Sequence, residues 1–371
     1  MQILLIVEDM QLGGVERTCA TLANFWVKEG HQVSLITFEK PDAKPLYELH
    51  RDIHFVRPGD LRQSSAGMKF FGSIFAIFRL RKILIQELKK KKGDEKSVIL
   101  GFLPHMCVYS RMASFGLNAK MISSVRIFPA FDFTHSNRLF HFVRFLAYIF
   151  SNHIVIQTEA GKSYFPEVFR SRISVIPNSI IEFSDTSNSP ALTQKNPFVL
   201  AVGRLAEQKR FDLLIESFSR IASKFPSWNL LILGDGELRS QLHQLIETKN
   251  LSKRVYLLGR IENVKAYYEQ AEFLAMASDF EGFPNALTEA MSCGLPAIFT
   301  DCPSGPREII RDKVDGLLVP LRNVEALSSA MEHLMLDESL RKKMGEAARQ
   351  NIQRFNWPTI NAKWIDLFHK L

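Results

Sequence analysis

The sequence has 371 residues, of which 46% are hydrophobic and 23% are charged, and its formal net charge is +8. This length is about twice that of a typical single domain, and the composition excludes a disordered or fibrous chain. The four cysteines, none in a CxxC pair, are too few for a disulfide framework and lack the usual zinc signature, so we expect reduced thiols.

Apolar, strand-like runs alternate with helix-like segments along the chain. The first run covers residues 2–9 and is interrupted by Glu8 and Asp9, which indicates a buried strand and not a secretion signal. Further runs lie at 32–38, 97–102, 120–126, 153–158, 198–204, 228–235, 255–259, 272–278 and 295–301. No apolar run reaches the ~18 residues that a membrane-spanning helix needs. The alternation predicts an α/β protein with doubly wound parallel sheets.

A polar segment rich in Ser, Thr, Asn and Pro separates two blocks of this pattern. It covers residues 183–197 and predicts a linker between an N-terminal domain over 1–182 and a second domain over 198–350. Ligands of doubly wound sheets bind at the carboxyl ends of the strands. We therefore expect two doubly wound domains that face a central cleft, with the active site in that cleft.

Basic residues are concentrated in the first half of the chain. Residues 1–185 carry 24 Lys and Arg against 17 Asp and Glu, whereas residues 186–371 carry 23 against 22. Two segments, 61–92 and 138–150, mix basic residues with apolar ones. On a helical wheel of the first segment, one broad face holds Phe71, Ile74, Phe75, Phe78, Ile85 and Leu88, and the opposite side holds Arg79 and Lys90. Such a helix is typical of proteins that bind anionic membranes, although a core-facing helix with a basic exposed side is the alternative. No nucleic-acid-binding motif occurs.

Two strand-to-helix loops carry residues suited to an anionic ligand. Gly13 and Gly14 follow the first strand, and they would let a ligand approach the backbone at the start of a helix; a plain tight turn is the alternative. Arg204 and Lys209 lie on the loop after the strand at 198–204. A guanidinium and an ammonium together suit a diphosphate leaving group, although basic loop residues are often only solvated.

The most specific motif lies within ASDFEGFPNALTEAMSCGLPAIFTD at 277–301. Glu281 and Glu289 stand in an E-x7-E spacing, the first in a loop and the second about two turns into the following helix. Both carboxylates can then face one ligand, the first gripping sugar hydroxyls and the second a ribose diol. Backbone N–H groups around 283–287 would face a phosphate.

These motifs together resemble glycosyltransferase family 4, retaining sugar-nucleotide enzymes of the GT-B fold with two Rossmann-like domains. The resemblance covers nearly the whole chain and rests also on LILGDGE at 231–237, VYLLGRIENV at 255–264 and GLLVP at 316–320. DCPSGPREII at 301–310 is similar to members that add a hexose or N-acetylhexosamine to lipid-linked saccharides in bacterial surface-glycan assembly. The resemblance further implies a C-terminal helix over 351–371 that crosses back to the first domain, with Trp357 and Trp364 as packing residues.

The resemblance assigns roles around the donor. Arg204 and Lys209 would neutralise the donor diphosphate, Glu281 would hold the sugar hydroxyls, and Glu289 would hold the ribose. The other donor-binding residues implied are Gly13, Gly14, Gly282, Phe283, Pro284, Asn285 and Leu287. The resemblance implies no metal ion and no other cofactor. Retention would follow a front-face displacement in which the departing phosphate takes the proton of the acceptor hydroxyl.

The resemblance also implies functional residues in the first domain. His105 would be a catalytic histidine near the donor sugar, although it stands a few residues beyond the usual position. Glu16 and Arg126 would contact the acceptor. The basic first domain suits an anionic lipid-linked saccharide, so we expect a peripheral enzyme on the cytoplasmic face of the inner membrane, with a UDP-linked donor. A soluble acceptor, a sugar-nucleotide epimerase of the same fold and a non-catalytic scaffold are the alternatives.

Overall fold

The computed structural model describes residues 1–11, 14–39, 42–59, 69–128, 138–180, 196–261 and 263–371. The chain divides into two compact units, the first formed by Met1–Pro177 with Asn361–Leu371 and the second by Asn178–Ile360. The sequence placed these divisions at residues 182 and 351. Apart from residues 196 and 197, the predicted linker over 183–197 lies outside the described residues.

The first unit is built on a seven-stranded sheet in the order β3-β2-β1-β4-β5-β6-β7, in which all neighbouring strands are parallel. Its strands are β1 (Gln2–Ile6), β2 (Gln32–Ile36), β3 (His54–Val56), β4 (Ser97–Phe102), β5 (Lys120–Ser124), β6 (His153–Ile156) and β7 (Ile173–Val175). Its helices include α1 (Gly14–Lys28), α2 (Lys69–Leu88), α3 (Pro104–Ala113), α4 (Arg138–Phe150) and α5 (Glu159–Ser163). Strands β1 and β4 are buried along their whole length, as the continuous apolar runs of parallel sheets require.

The second unit repeats this architecture with a six-stranded parallel sheet in the order β10-β9-β8-β11-β12-β13. Its strands are β8 (Phe198–Val202), β9 (Asn229–Leu233), β10 (Val255–Gly259), β11 (Phe273–Met276), β12 (Ala297–Thr300) and β13 (Gly316–Val319). Its helices are α6 (Phe211–Ile221), α7 (Arg239–Thr248), α8 (Val264–Gln270), α9 (Asn285–Ser292), α10 (Pro306–Ile309), α11 (Val324–Leu336) and α12 (Glu338–Ile352). Two parallel sheets interleaved with helices confirm the α/β, doubly wound prediction.

The order of the strands reverses at one point in each sheet. In the first unit the chain runs outward from β1 to β3, returns to β4, and then runs outward the other way. In the second unit the same reversal falls between β8 and β11. Loops that leave the carboxyl ends of such neighbouring strands diverge and open a crevice, which is where doubly wound sheets bind ligands.

The last helix, α13 (Trp357–Lys370), packs on α1. The Trp26 ring meets Trp364 with centroids 5.6 Å apart and Phe368 with centroids 5.2 Å apart, both edge-on. All three side chains are buried. Trp364 is therefore a core residue of the first unit, while Trp357 is only half-buried.

Helix α2 is apolar on two sides. Its buried side, which contains Ala76, Leu80 and Leu84, packs into the core beneath the sheet. Of the apolar face expected from the helical wheel, Leu88 packs against this core, whereas Phe75 and Phe78 are 66% and 68% exposed. The core-facing alternative therefore describes one side of this helix, and a solvent-facing aromatic surface occupies the other.

The second basic-apolar segment, which contains α4, differs from the expectation. Phe142 and Phe150 are exposed, but Arg144 is fully buried, stacks over the ring of Phe140 and bonds to His141 Nδ1 at 2.8 Å. Arg144 therefore adds no charge to the surface. Among the residues that the structure describes, no helix combines the length and apolar character needed to cross a bilayer.

Candidate functional site

In the second unit, Lys209 and Glu281 form a largely buried ion pair beyond the ends of β8 and β11. The Lys209 Nζ donates to Glu281 Oε1 at 2.7 Å, and Glu281 is 5% exposed. The two residues are distant in sequence, but their strands are neighbours in the sheet. The structure thus brings together two of the predicted site residues, one from the R-x4-K motif and one from the E-x7-E motif.

The two loops that carry this pair are tied to each other by further bonds. The backbone N–H of Asp279 donates to the Gln208 carbonyl at 2.9 Å, and the Gln208 side chain donates to the Phe280 carbonyl at 2.7 Å. Asp279 also accepts bonds from two guanidinium groups, those of Arg210 and Arg322. Because residues 208–210 and 279–281 are bonded along their length, the separation of Lys209 and Glu281 is fixed by the surrounding backbone.

Arg204, which with Lys209 is expected at the donor diphosphate, is exposed on the same loop as Lys209. Behind it, the glycines of LILGDGE approach the loop backbone closely. A Cβ on Gly234 would stand 1.9 Å from the Gly203 carbonyl oxygen, and one on Gly236 would stand 2.5 Å from that of Leu205. Only glycine fits at these two positions, so the close approach fixes the start of the Arg204 loop.

Glu289 lies in α9 and is buried beneath the loop residues. Its Oε2 accepts a hydrogen bond from the hydroxyl of Tyr268 at 3.0 Å, and Tyr268 itself is buried in α8. The tyrosine orients one oxygen of the carboxylate. Sequence reasoning missed Tyr268, because nothing in the spacing of VKAYYEQ distinguishes a partner of Glu289 from a core tyrosine.

The residues around the start of α9 divide into packing and polar positions. Leu287 is a core residue whose N–H donates to the Pro284 carbonyl at 3.1 Å, so it is not directed at a phosphate as expected. That N–H closes the first turn of the helix. The Phe283 ring packs edge-on against Phe355 at 5.2 Å, and the Asn285 Oδ1 accepts from the Asn178 side chain at 2.7 Å.

The turn before α9 is held by the loop after β12. Gly305 has φ +93°, and a Cβ there would meet Pro284 Cδ at 2.7 Å. The Ser304 hydroxyl donates to the Gly282 carbonyl at 3.3 Å. The segment DCPSGPREII therefore supports the backbone next to Glu281, a structural role that its resemblance to a subfamily did not indicate.

In the first unit, His105 lies next to Glu8, with His105 Nε2 and Glu8 Oε2 2.8 Å apart. Glu16 lies in the first turn of α1, near the carboxylates of Glu8 and Asp9. Burial raises the pKa of Glu16, and the neighbouring Asp9 and Glu8 carboxylates raise it further. Gly14 is the first residue of α1, and Gly13 lies outside the described residues.

Arg126 is only 7% exposed and sits between aromatic rings. Its guanidinium carbon lies 4.9 Å from the centroid of Phe102 and 5.7 Å from that of Trp364, and its Nε donates to Ser124 Oγ at 2.8 Å. Burial lowers the pKa of Arg126 to about 10. These contacts account for the position of the guanidinium by packing against α13, and contact with an acceptor stays a prediction.

Potential metal ligands do not cluster in the described part of the chain: no group of three or more His, Cys, Asp or Glu side chains could hold a metal ion. Two of the predicted site residues, Lys209 and His105, are paired with carboxylates of the protein, those of Glu281 and Glu8.

Comparison with known proteins matches both units to glycosyltransferase families. The model of Glycosyltransferase Family 4 matches residues 12–181, and the model of Glycosyl transferases group 1 matches residues 182–351. Among solved structures, sucrose-phosphate synthase from Thermosynechococcus elongatus has a TM-score of 0.82 at 20% identity, covering 100% of this chain and 98% of its own. Anabaena HepE in complex with UDP has a TM-score of 0.80 at 20% identity, with both chains covered completely. The fold is that of the GT-B glycosyltransferases.

A curated relative is similar along the whole sequence. The GalNAc-alpha-(1->4)-GalNAc-alpha-(1->3)-diNAcBac-PP-undecaprenol alpha-1,4-N-acetyl-D-galactosaminyltransferase of Campylobacter jejuni is 30% identical over 374 residues, 99% of this chain and 98% of the relative. The chain therefore belongs to glycosyltransferase family 4, and it is a glycosyl-transferring enzyme.

Proposed function

We propose that this enzyme moves a hexose or N-acetylhexosamine from a UDP-linked donor to a lipid-linked saccharide, with retention of configuration and without a metal ion. The observation that carries the proposal is the buried ion pair of Lys209 with Glu281, on a loop that also carries the exposed Arg204. In this proposal Glu281 holds the sugar, and Lys209 and Arg204 are the cations at the diphosphate. The Campylobacter relative, whose name specifies a diphospho-undecaprenol-linked acceptor, supports the acceptor class, and the UDP bound to HepE supports the nucleotide.

The chemistry assigned to these residues is charge neutralisation. When the bond between the anomeric carbon and the diphosphate breaks, negative charge grows on the leaving oxygen. Arg204 and Lys209 stabilise that charge, as preorganised cations do most effectively in sites shielded from water. The acceptor oxygen forms its new bond on the same face of the sugar, and its proton passes to the departing diphosphate. His105 faces the donor sugar in this scheme, Glu281 holds the sugar hydroxyls and Glu289 holds the ribose.

Nucleotide release tests the function directly. The enzyme is incubated in EDTA with a panel of UDP- and GDP-sugars, with and without bacterial lipid-linked saccharides. We expect release from one UDP-sugar, stimulated by the lipid fraction, and loss of that release in Lys209→Met and Glu281→Gln. Lys224→Met is the matched control, because Lys224 forms an exposed ion pair with Glu332 in the same unit.

The other outcomes exclude parts of the proposal. Stimulation by soluble sugars would overturn the lipid-linked acceptor, and a requirement for added Mg²⁺ would overturn metal independence. Interconversion of the sugar without an acceptor would favour the epimerase. The anomeric configuration of the product, read from its proton coupling constants, tests retention.

We also propose that the first unit binds the cytoplasmic face of the inner membrane. The exposed face of α2 carries Phe75 and Phe78 together with Arg79 and Lys82, which are also exposed. Arg79 is one turn beyond Phe75, so it lies beside the aromatic rings and not opposite them as the helical wheel indicated. Aromatic side chains that insert at the headgroup level and cations that meet anionic lipids are the features of interfacial helices.

Flotation with vesicles of anionic and of neutral lipids tests this surface. We expect wild-type protein to float with anionic vesicles, and the double variant Phe75→Ser, Phe78→Ser to remain in the bottom fraction. Leu336→Ser removes an equally exposed apolar side chain from the second unit and serves as control. Equal flotation of the double variant and the wild type would overturn the proposal.

A further inference from the structure

Glu8 and His105 meet at the point where the first sheet reverses its strand order. Glu8 follows β1, and His105 follows β4, the strand that pairs with β1. Their side chains remain 32% and 30% exposed, so the pair lies at the surface of the crevice. Nothing in the sequence motifs indicated Glu8, which was noted only as an interruption of the first strand.

The backbone on both sides of this contact is constrained. The Glu8 carbonyl accepts from the N–H of Phe38 at 2.8 Å, which extends the pairing of β1 with β2. On the other side, Leu103 has φ 71° and ψ 149°, a conformation that is strained for a leucine, and Pro104 follows at the first position of α3. Strained residues of this kind are found where a functional side chain must be placed in one position.

The turn between β4 and α3 is also constrained by the close packing of α3 on β4. A Cβ on Gly101 would lie 3.1 Å from Ser110 Oγ and 3.2 Å from the Met106 carbonyl oxygen. The helix that begins at Pro104 therefore sits directly against the end of the strand. His105 is carried by a segment with little freedom to move, and the remaining freedom is the orientation of its imidazole ring.

The hydrogen bond to Glu8 removes that last freedom. An ionised carboxylate can only accept hydrogen bonds, so the hydrogen must be on His105 Nε2. Whenever the ring is neutral, Nδ1 is then its acceptor nitrogen, and in the described residues Nδ1 has no hydrogen-bond partner. A carboxylate that bonds one ring nitrogen sets both the tautomer and the orientation of a histidine.

We infer that Glu8 is a positioning residue that fixes the tautomer and orientation of His105 so that Nδ1 faces the reacting sugar. The role of His105 itself rests on the proposed function. The contact with Glu8 does not, since it is a feature of the folded protein without substrate. Glu8 itself touches neither donor nor acceptor in this assignment.

Nitrogen NMR of the free enzyme tests the tautomer independently of activity. Protein labelled with ¹⁵N-histidine contains ten histidines, and the spectrum of His105→Asn identifies the signals of His105. We expect wild-type His105 to carry its hydrogen on Nε2, Glu8→Ala to populate both tautomers, and Glu8→Gln to retain the Nε2 form through its amide oxygen. Asp9→Asn alters the neighbouring carboxylate, which accepts from Gln11 N instead, and should leave the spectrum unchanged.

Steady-state kinetics with the active donor tests the consequence. We expect Glu8→Ala to lower kcat about 10- to 100-fold with little change in donor KM, the size of effect that a displaced catalytic group produces. Glu8→Gln should recover much of this loss. In the His105→Asn background, Glu8→Ala should lower kcat no further, because residues that act as a unit are not additive.

Each contrary result has a distinct meaning. Unchanged tautomers in Glu8→Ala overturn the inference, and so does a fall in kcat that multiplies with that of His105→Asn. If the wild type releases no nucleotide from any donor, the proposed function fails and the NMR comparison alone decides whether Glu8 orients His105. Thermal melts of both Glu8 variants exclude a general loss of folding.

Discussion

The hydroxyl of Tyr268 in α8 donates to the carboxylate of Glu289 in α9 at 3.0 Å, and both side chains are buried. Of the two carboxylates in the E-x7-E motif, Glu281 is held by a cation and Glu289 by a neutral donor. The tyrosine hydroxyl holds one oxygen of the Glu289 carboxylate in place. The two glutamates thus have different chemical surroundings although the motif treats them alike.

Removing the tyrosine hydroxyl should loosen Glu289 without disturbing the fold. We expect Tyr268→Phe to raise the donor KM roughly 3- to 10-fold, since a typical hydrogen bond contributes about 0.5–1.5 kcal/mol and each 1.4 kcal/mol is about tenfold in affinity. Tyr256→Phe is the matched control, because that hydroxyl donates to the nearby Lys253 carbonyl at the surface. Equal KM values for the two variants would contradict a role for Tyr268 in donor binding.

Substitutions in the Lys209–Glu281 pair should affect stability and activity differently. Lys209→Met leaves a buried carboxylate without its cation, and we expect a loss of roughly 3 kcal/mol in the free energy of unfolding. Adding Glu281→Gln removes the stranded charge, so the double variant should recover most of this stability while remaining inactive. Urea titrations and nucleotide release on the same preparations measure both effects. A double variant no more stable than Lys209→Met would show that the pair is not coupled.

His153 should make the first unit sensitive to acid. Burial lowers the pKa of His153 to about 4, with Lys370 and Arg172 adding to the effect. Between that value and 6.5, the unfolded chain binds a proton that the folded chain does not, so stability falls as the pH decreases through this window.

The measurement is the urea midpoint as a function of pH. We expect His153→Gln, which can keep a bond to Ser174, to show a flatter dependence between about pH 4.5 and 6.5 than the wild type. His243→Gln replaces an exposed imidazole and should follow the wild type. At lower pH, Glu87 also affects the free energy of unfolding. Burial raises its pKa, but its partners Lys90, Ser34 and His54 lower the pKa by more, so the stability that they give is lost as the carboxylate protonates.

The aromatic contact between α1 and α13 should be a large part of the stability of the first unit. We expect Trp364→Ala to cost about 3–5 kcal/mol, as the removal of a buried tryptophan usually does. Trp357→Ala, at a half-buried position of the same helix, should cost much less. Thermal or urea unfolding followed by far-UV circular dichroism compares the two. Similar losses would show that Trp364 is not a principal core contact.

The local patterns in the sequence were sufficient to predict most strands, the doubly wound architecture and the motif that contains Glu281, but β3, β7 and β13 were not among the predicted runs. The strand QILLI and the turn before Glu281 can each be recognised from residues that are adjacent in the sequence. Family resemblance assigned Lys209 and Glu281 to the same donor but did not predict their ion pair, which the sheet order explains physically, because β8 and β11 are neighbours.

Other features depended on packing that no local pattern encodes. A helical wheel cannot say which of two apolar faces of α2 is buried, so the exposure of Phe75 and Phe78 became known only with the core. The ring contacts of Arg126 likewise depend on aromatic neighbours from other elements, whereas Arg144 is buried over Phe140 of its own helix. Neither Tyr268 nor Glu8 belongs to a recognisable sequence motif, because each contacts a site residue that is distant in the sequence, Glu289 and His105 respectively.

The contact of Trp26 with Trp364 has a consequence for synthesis of the chain. Trp26 leaves the ribosome early, whereas Trp364 and Phe368 follow only after every residue of the second unit. The second unit can therefore complete its core while α1 still exposes a large aromatic side chain. The first unit to be translated is the last to be finished, and until then Trp26 is a natural contact point for a chaperone.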